Sequence, residues 1–263
     1  MLFNEKTAIS TPKILLVPYE ASHVLKYHEW MQDEKIQAET ASEPLTLEEE
    51  YSMQKSWRTD VDKLTFIACL PLDATTDSIL DSPYVASPAT PPGEYRRALT
   101  AGTADSPSRM IGDVNLFLTH DGATKLSPFI GEIELMIAPT QFRRNGHGRG
   151  AVLAFLTYIA RHLDSILLEY WRKLPPNTYQ IPPLRGLRVK IGIENEGSLR
   201  LFRSLGFECK EGEEEPDYFG ELELWFQGTF GEDAMEKLRS KWRSEQYEEL
   251  LYWKGDNPTG AKE

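Results

Sequence analysis

The 263-residue sequence predicts an α/β (α+β) domain, a mixed sheet carrying helices on its faces. Three observations lead there. Short apolar runs recur along the chain, some of them adjacent and some separated by helical stretches, the mixture expected of antiparallel neighbours combined with βαβ crossovers. One strand leads through a glycine- and arginine-rich turn directly into a long apolar helix. The chain is long enough, at 40% apolar residues, to bury a substantial core.

The elements follow in order. Residues 13–19 (Lys-Ile-Leu-Leu-Val-Pro-Tyr) read as a short buried strand that Pro18 confines to an edge or an end. Ser22 stands where it can cap a helix to about Met31, and a second short helical piece reaches Ala38. Thr46 followed three residues later by Glu49 is a capping-box pattern. Leu47, Tyr51, Met53 and Trp57 then suit the partly buried side of a helix to about Thr59, and residues 63–70 form the next strand. Residues 71–108 hold 6 of the 17 prolines, many Ser, Thr and Ala and few large apolar residues, which reads as a disordered or surface insertion. Order returns at Arg109, where Val114, Leu116 and Leu118 alternate with Asp113, Asn115 and Phe117. The strand at 129–138 puts Ile133, Leu135 and Ile137 on one face and Glu132, Glu134 and Met136 on the other. An apolar helix runs from Ala151 to about Leu168, and residues 170–186 are a second, shorter proline-rich excursion. A strand at 187–193 precedes a helix from Glu196 to Ser204 that ends at Gly206, a C′ glycine. Phe207 begins a short strand, 208–217 is an acidic loop, and 218–227 is the last strand. Residues 232–253 read as one amphipathic helix carrying Leu238, Trp242, Leu250, Leu251 and Trp253. The layout is therefore a single domain over 1–230 and a helical extension over 231–263.

Charge narrows the function. Twenty-nine Lys and Arg against 41 Asp and Glu leave −12, which disfavours nucleic acid as a general partner. Cys69 and Cys209 make neither a disulfide framework nor a metal spacing. His23 and His28 are five apart, His120 and His162 are isolated, and no metal is expected. No apolar stretch approaches the roughly 20 residues of a membrane span, and the first residues lack the basic start and apolar run of a signal peptide. The expectation is a cytoplasmic protein without membrane partners.

The glycine turn carries the chemistry. A strand, then Arg143-x-x-Gly146-x-Gly148, then a helix makes a phosphate cradle, because glycines allow close approach and the free amides of a helix start favour an anion. Arg143, Arg144 and Arg149 add charge there. A P-loop is excluded because no Gly-Lys-Ser/Thr follows, and the glycine spacing disfavours a dinucleotide fold.

These residues resemble a known family. Arg143-Arg144-Asn145-Gly146-His147-Gly148 is similar to the R/Q-x-x-G-x-G/A acetyl-CoA signature of the GNAT acetyltransferases. A second signature of that superfamily, N-x-x-[SA]-x-x-L-[YF]-x-x-x-G-F, resembles the segment from Asn195 through Ser198, Leu201 and Phe202 to Gly206-Phe207. Val17-Pro-Tyr, Tyr27-His-Glu-Trp-Met, Gly112-Asp-Val-Asn-Leu-Phe-Leu-Thr and Gly131-Glu-Ile-Glu resemble its N-acetyltransferase 9-like branch. The resemblance covers about 10–70 and 109–227.

It implies a GNAT-type, mostly antiparallel twisted sheet whose two central parallel strands splay apart. It implies acetyl-CoA as co-substrate, its pyrophosphate on the amides of Arg143 to Gly148 and its pantetheine beside Met136, Ile137 and Ala138. Asn195, helped by Ser198, is implied on the other side. The implied activity is transfer of acetyl to an amine, most simply a protein or peptide N-terminal α-amine, with tubulin suggested by the branch alone. A lysine near pKa 10.4 is harder to deprotonate than an α-amine near 8, and a general base assists either. Glu132 and Glu134 share one strand face and are the candidates, Glu132 standing where lysine-acetylating relatives keep their base. Asp113 and Asn115 are candidates for the substrate pocket. Phe202 stands where many relatives carry a tyrosine acting as general acid, and it cannot donate a proton. Two rival readings remain: a non-catalytic CoA-binding or interaction module, and a polyamine acetyltransferase.

Overall fold

The computed structural model describes residues 1–73, 79–81, 97–120, 127–173, 181–244 and 246–254. Its elements are β1 (Thr7–Ser10), β2 (Leu15–Pro18), α1 (Val24–Met31), α2 (Glu34–Glu39), α3 (Leu47–Thr59), β3 (Lys63–Cys69), β4 (Ile79–Asp81), β5 (Arg97–Thr100), β6 (Met110–His120), β7 (Phe129–Ile137), α4 (His147–Arg172), β8 (Leu184–Gly192), α5 (Glu196–Ser204), β9 (Phe207–Glu208), β10 (Glu221–Phe226), α6 (Glu232–Lys241) and β11 (Glu248–Trp253). One sheet runs in the order β4-β5-β11-β1-β2-β3-β6-β7-β8-β10-β9. Its strands pair antiparallel except at β7–β8 and β5–β11.

Period-two alternation divides the sheet into two apolar layers. Val114, Leu116, Leu118 and Ile133 face α4, whose buried stripe from Ala151 to Ile159 packs with Phe66, Leu199, Phe202 and Met235. The opposite face joins Ile67, Cys69, Met110 and Met136 to Tyr19, Tyr27 and Trp30 beneath α1. α4 is long and apolar enough, by length and composition, to cross a bilayer, although no stretch of that length was expected; most of it is packed inside the domain.

Four expectations change. The capping box at Thr46 forms, with Thr46 N donating to Glu49 Oε2 at 2.8 Å. The inner stripe of α3, however, is Glu50, Gln54 and Arg58, while Leu47 and Tyr51 are exposed. Two of those side chains find partners inside: Gln54 Nε2 donates to Tyr19 O at 2.8 Å, and Arg58 donates to Asn4 Oδ1 at 2.8 Å, while Glu50 lies 3.7 Å from His28 Nδ1. Ser22 does not cap α1, because 21–23 is a 3-10 turn and His23 is the N-cap.

The described part of the 71–108 stretch is not a loose excursion; its residues 74–78 and 82–96 lie outside the described residues. β5 pairs with β11, and Asp105 is buried, accepting from the Gly102 amide at 2.6 Å, from Tyr252 Oη and from His23 Nε2 at 3.0 Å. His23 Nδ1 accepts from Glu20 N at 3.1 Å, which leaves the proton on Nε2 and fixes the direction of the bond to Asp105. Finally, 232–253 is not one helix. It breaks after Lys241, and Leu250 and Tyr252 bury one face of β11 between β1 and β5. Unpaired edges of β1 and β5 reward extended backbone there more than helix rewards amphipathicity. Of the 170–186 excursion, 174–180 lie outside the described residues, α4 continues to Arg172 and β8 begins at Leu184.

Candidate active site

The parallel pair β7–β8 is the structural centre. Pairing runs from Phe129–Leu184 to Glu132–Arg188 and stops there, so β7 from Ile133 onward has no strand on that side while β8 stays paired to β10 as far as Gly192. The opening faces the turn that joins β7 to α4.

That turn has the shape expected of a phosphate cradle. Arg144 has φ 63° and Gly146 φ 87°, both left-handed, and a Cβ added at Gly146 meets nothing within 4 Å. Among the described residues, the consecutive main-chain N–H groups of Arg144 to Arg149 donate to no acceptor; the first paired amide of the helix is Gly150, bonded to Gly146 O at 2.9 Å. Alternating left- and right-handed backbone with free amides at a helix start is an anion nest. The turn residues present therefore fit the pyrophosphate of CoA.

The three arginines behave differently from one another. Arg143 Nε donates to Ile137 O at 2.7 Å and its guanidinium pairs with Glu39 at 3.1 Å, so it buttresses the end of β7. Arg149 stacks on the Trp242 ring at 3.7 Å. Arg144 alone of the three is exposed and, among the described residues, unpaired. The side chains of Asn145 and His147 are also occupied, donating to Gln141 O at 2.9 Å and lying 2.7 Å from Lys13 O. Gly148 packs under Leu135, Ile137 and Leu201, and an added Cβ would meet them at 3.4 to 3.7 Å. Met136 and Ala138 are buried. Asn195 caps α5, its Oδ1 accepting from Ser198 N at 3.1 Å.

Below the opening lie the acids. β6–β7 register sets Asn115 opposite Glu134 and Asp113 opposite Met136, so Asp113, Asn115 and Glu134 share one face. Asp113 is buried, accepting from Asn115 Nδ2 at 2.9 Å and from Tyr27 Oη at 3.3 Å. Burial pushes its carboxyl up to about 6 against the pull of those two bonds. Asn115 Oδ1 and, across the β3–β6 pairing, Thr65 Oγ1 are buried with no hydrogen-bond partner. Solvent reaches Glu134, yet the protein walls around it strip enough hydration to raise its carboxyl. The charges of Asp113, Glu132 and Glu221 add to that, and together they bring it to about 7.

Glu132, two residues earlier, is ion-paired. Arg188 Nε donates to Glu132 Oε2 at 2.9 Å, Arg188 Nη1 donates to Glu223 Oε2 at 2.9 Å, and Trp225 Nε1 donates to Glu223 Oε1 at 2.6 Å. Phe202 is buried with its ring 5.3 Å from that of Phe207. Sequence reasoning missed Tyr27, Arg188 and Glu221. The cross-strand pairs of Arg188 and Glu221 leave no local sequence signal, and Tyr27 sits in a motif that carried family resemblance only.

On the opposite side of the sheet, a groove of about 1050 Å³ lies between α6, the turn after α5 and the end of β10, away from Glu134.

Residues 13–208 match the family described as acetyltransferase (GNAT) domain. An N-acetyltransferase 9-like protein of Schizosaccharomyces pombe (strain 972 / ATCC 24843) is 38% identical over 79% of this chain and 91% of its own length. The alpha/beta-tubulin-N-acetyltransferase 9 of Homo sapiens is 40% identical over 79% of this chain and 78% of its own. That of Drosophila melanogaster is 40% identical over 79% and 81%. Among solved structures, a spermidine N-acetyltransferase from Vibrio cholerae in complex with CoA and spermine aligns with TM-score 0.50. It is 14% identical, with 81% of this chain and 93% of that one covered, a likeness of fold.

Proposed function

Because the chain belongs to the GNAT acetyltransferase family, in its N-acetyltransferase 9-like branch, and is an acetyl-CoA-dependent acyltransferase, we propose that it acetylates a protein or peptide α-amine with Glu134 as general base. The carrying observation is Glu134 itself: a carboxyl raised to about 7, below the opening between β7 and β8.

When bound, acetyl-CoA supplies an acetyl group activated as a thioester. The chain's own part is to hold the carrier's pyrophosphate on the amides of Arg144 to Arg149 and to leave room for its arm beside Met136 to Ala138. The capping geometry of Asn195 leaves its Nδ2 available to the other side of that arm. Asp113 and Asn115 orient the incoming amine, with Tyr27 fixing Asp113. Glu134 then accepts the amine proton, so that the nitrogen lone pair is free to form the new bond to the acetyl carbon. An α-amine near pKa 8 lies within about one pH unit of Glu134, whereas a lysine near 10.4 lies more than three above it. That match supports the α-amine over the lysine. Glu132, held by Arg188, serves the sheet and raises Glu134 by its charge.

The names of the relatives make tubulin N-termini the first protein substrates to test. The acidic loop before β10 ends in Tyr218 and Phe219, 95% and 80% exposed, which would favour peptides with basic or apolar residues after the N-terminal one.

The test is CoA release from acetyl-CoA with free-N-terminus peptides, the same peptides blocked at the N-terminus but bearing lysine, and spermidine. Turnover on the free peptides alone is the expected result. Turnover on spermidine alone would move the substrate to the polyamines, and turnover on blocked peptides would move it to lysine.

A further inference from the structure

A second set of unsatisfied groups lies on the other side of the sheet, where α6 packs on α4. The inner face of α6 is Met235, Arg239 and Trp242, and Arg239 is only 6% exposed. Arg239 Nε and Nη1, Trp242 Nε1, Ser244 Oγ and Arg149 Nε are all buried with no hydrogen-bond partner. The chain turns tightly here, Trp242 N and Ser244 N both donating to Arg239 O at 3.0 and 2.9 Å, and Arg149 stacks on Trp242 at 3.7 Å while its Nη2 donates to Ser204 Oγ at 3.4 Å. Four of the five atoms are donors only, and the fifth is a hydroxyl.

Among the described residues, no carboxylate is hydrogen-bonded to them. Glu232 and Glu249 are engaged by Arg161 at 3.6 and 3.5 Å, and Glu249 is also 2.8 Å from His162. Arg239 is left with the face of Tyr247 at 4.9 Å and the more distant charge of Glu236. Burying a cation without its counter-charge is costly, and this chain has 12 more acids than bases, so carboxylates were not scarce. Leu238 and Lys241, which flank these residues on α6, line the groove of about 1050 Å³, which provides space alongside.

We propose that this seam between α4 and the end of α6 binds a phosphate-type oxyanion. A tetrahedral oxyanion offers acceptors to guanidinium, indole and hydroxyl donors at once, which a planar carboxylate does less completely. Arg149 links the seam to the carrier: its main-chain N–H is the last free amide of the nest, and its side chain reaches the seam. The phosphate has two sources by this chemistry, the 3′-phosphate of CoA or free inorganic phosphate. Only the first rests on the reading of the nest as the CoA cradle.

The experiment uses the full chain. Thermal midpoints are measured in inorganic phosphate and in chloride at matched ionic strength, and calorimetry compares CoA with 3′-dephospho-CoA. Phosphate is expected to raise the midpoint saturably above the chloride control, and Arg239→Gln to abolish that rise. If the site takes the carrier's own phosphate, 3′-dephospho-CoA binds about tenfold more weakly than CoA and Arg239→Gln removes the difference. If it takes free phosphate, both carriers bind alike and phosphate still stabilises the CoA-saturated protein. Trp242→Phe keeps the stacked ring, loses only the N–H, and is expected to weaken the phosphate effect severalfold with an unchanged far-UV spectrum, which covers the case in which Arg239→Gln misfolds. Phosphate indistinguishable from chloride, together with equal affinity for both carriers, overturns the proposal. A phosphate shift without any CoA binding would instead sink the reading of the nest and leave this site standing.

Discussion

The two halves of β7 carry the same residue under opposite conditions. Glu132 lies in the half still paired to β8, and that pairing sets Arg188 beside it, with Glu223 completing the ladder from β10. Glu134 lies two residues on, where β8 has parted, and its neighbours are Asp113 and Asn115. One carboxylate is ion-paired within the sheet; the other is raised to about 7. A strand pair that stops halfway thus separates an ion-paired acid from one raised toward neutral pH without any change in residue type.

The largest effect expected is at the close approach of β6 to the end of β7. A Cβ at Gly112 would stand 1.8 Å from the carbonyl oxygen of Met136, a main-chain clash that no rotamer relieves. Gly112→Val should leave little folded protein, read as loss of a cooperative thermal transition; a native-like melt would mean that β6 and β7 approach each other less closely than described.

Glu134→Gln comes next. Removing a general base costs about 10²- to 10⁴-fold, so kcat should fall at least a hundredfold while calorimetric affinity for CoA stays within twofold. In the unaltered chain the rate should climb with pH through about 7 as Glu134 ionises. The same substitution should make the protein more stable at pH 8. A carboxyl raised above its ordinary 4.5 keeps its proton in the folded state while the unfolded chain releases it, so stability falls between 4.5 and about 7. The Gln variant escapes that loss, and the two proteins should converge below pH 4.5. A Gln variant less stable at pH 8 would contradict the assignment.

Arg188→Met attacks the contrast directly. It leaves Glu132 and Glu223 without their shared cation, and breaking a partly buried pair of this kind costs about 1 to 3 kcal/mol. The added uncompensated charge should move the midpoint of the pH–rate curve upward; an unmoved midpoint would show that the two acids are not coupled. The mildest change is Glu132→Gln. It should keep kcat within a few-fold and lower the melting temperature slightly, about 1 kcal/mol for the lost charged hydrogen bond. A hundredfold loss of kcat would return the base to Glu132.

Much of this was legible in local signals. The Thr46–Glu49 box, the turn Arg143 to Gly148 and the face shared by Glu132, Glu134 and Met136 follow from spacing alone. The polar stripe of α3 was not, because Gln54 and Arg58 turn inward to partners distant in sequence, Tyr19 O and Asn4 Oδ1. Neither was the break of 232–253, where Leu250 and Tyr252 fit a helix face and a strand face equally well until β1 and β5 offer their edges.

Where the backbone bends, caps and alternates follows from a few bonded neighbours and can be read along the chain: Gly146 at φ 87° and Asn195 at its cap are such cases. Tertiary structure decided what each acid and cation became. Electrostatics depends on through-space neighbours, and Arg188 meets Glu132, while Arg239 faces the ring of Tyr247, for reasons of register and packing rather than of sequence spacing.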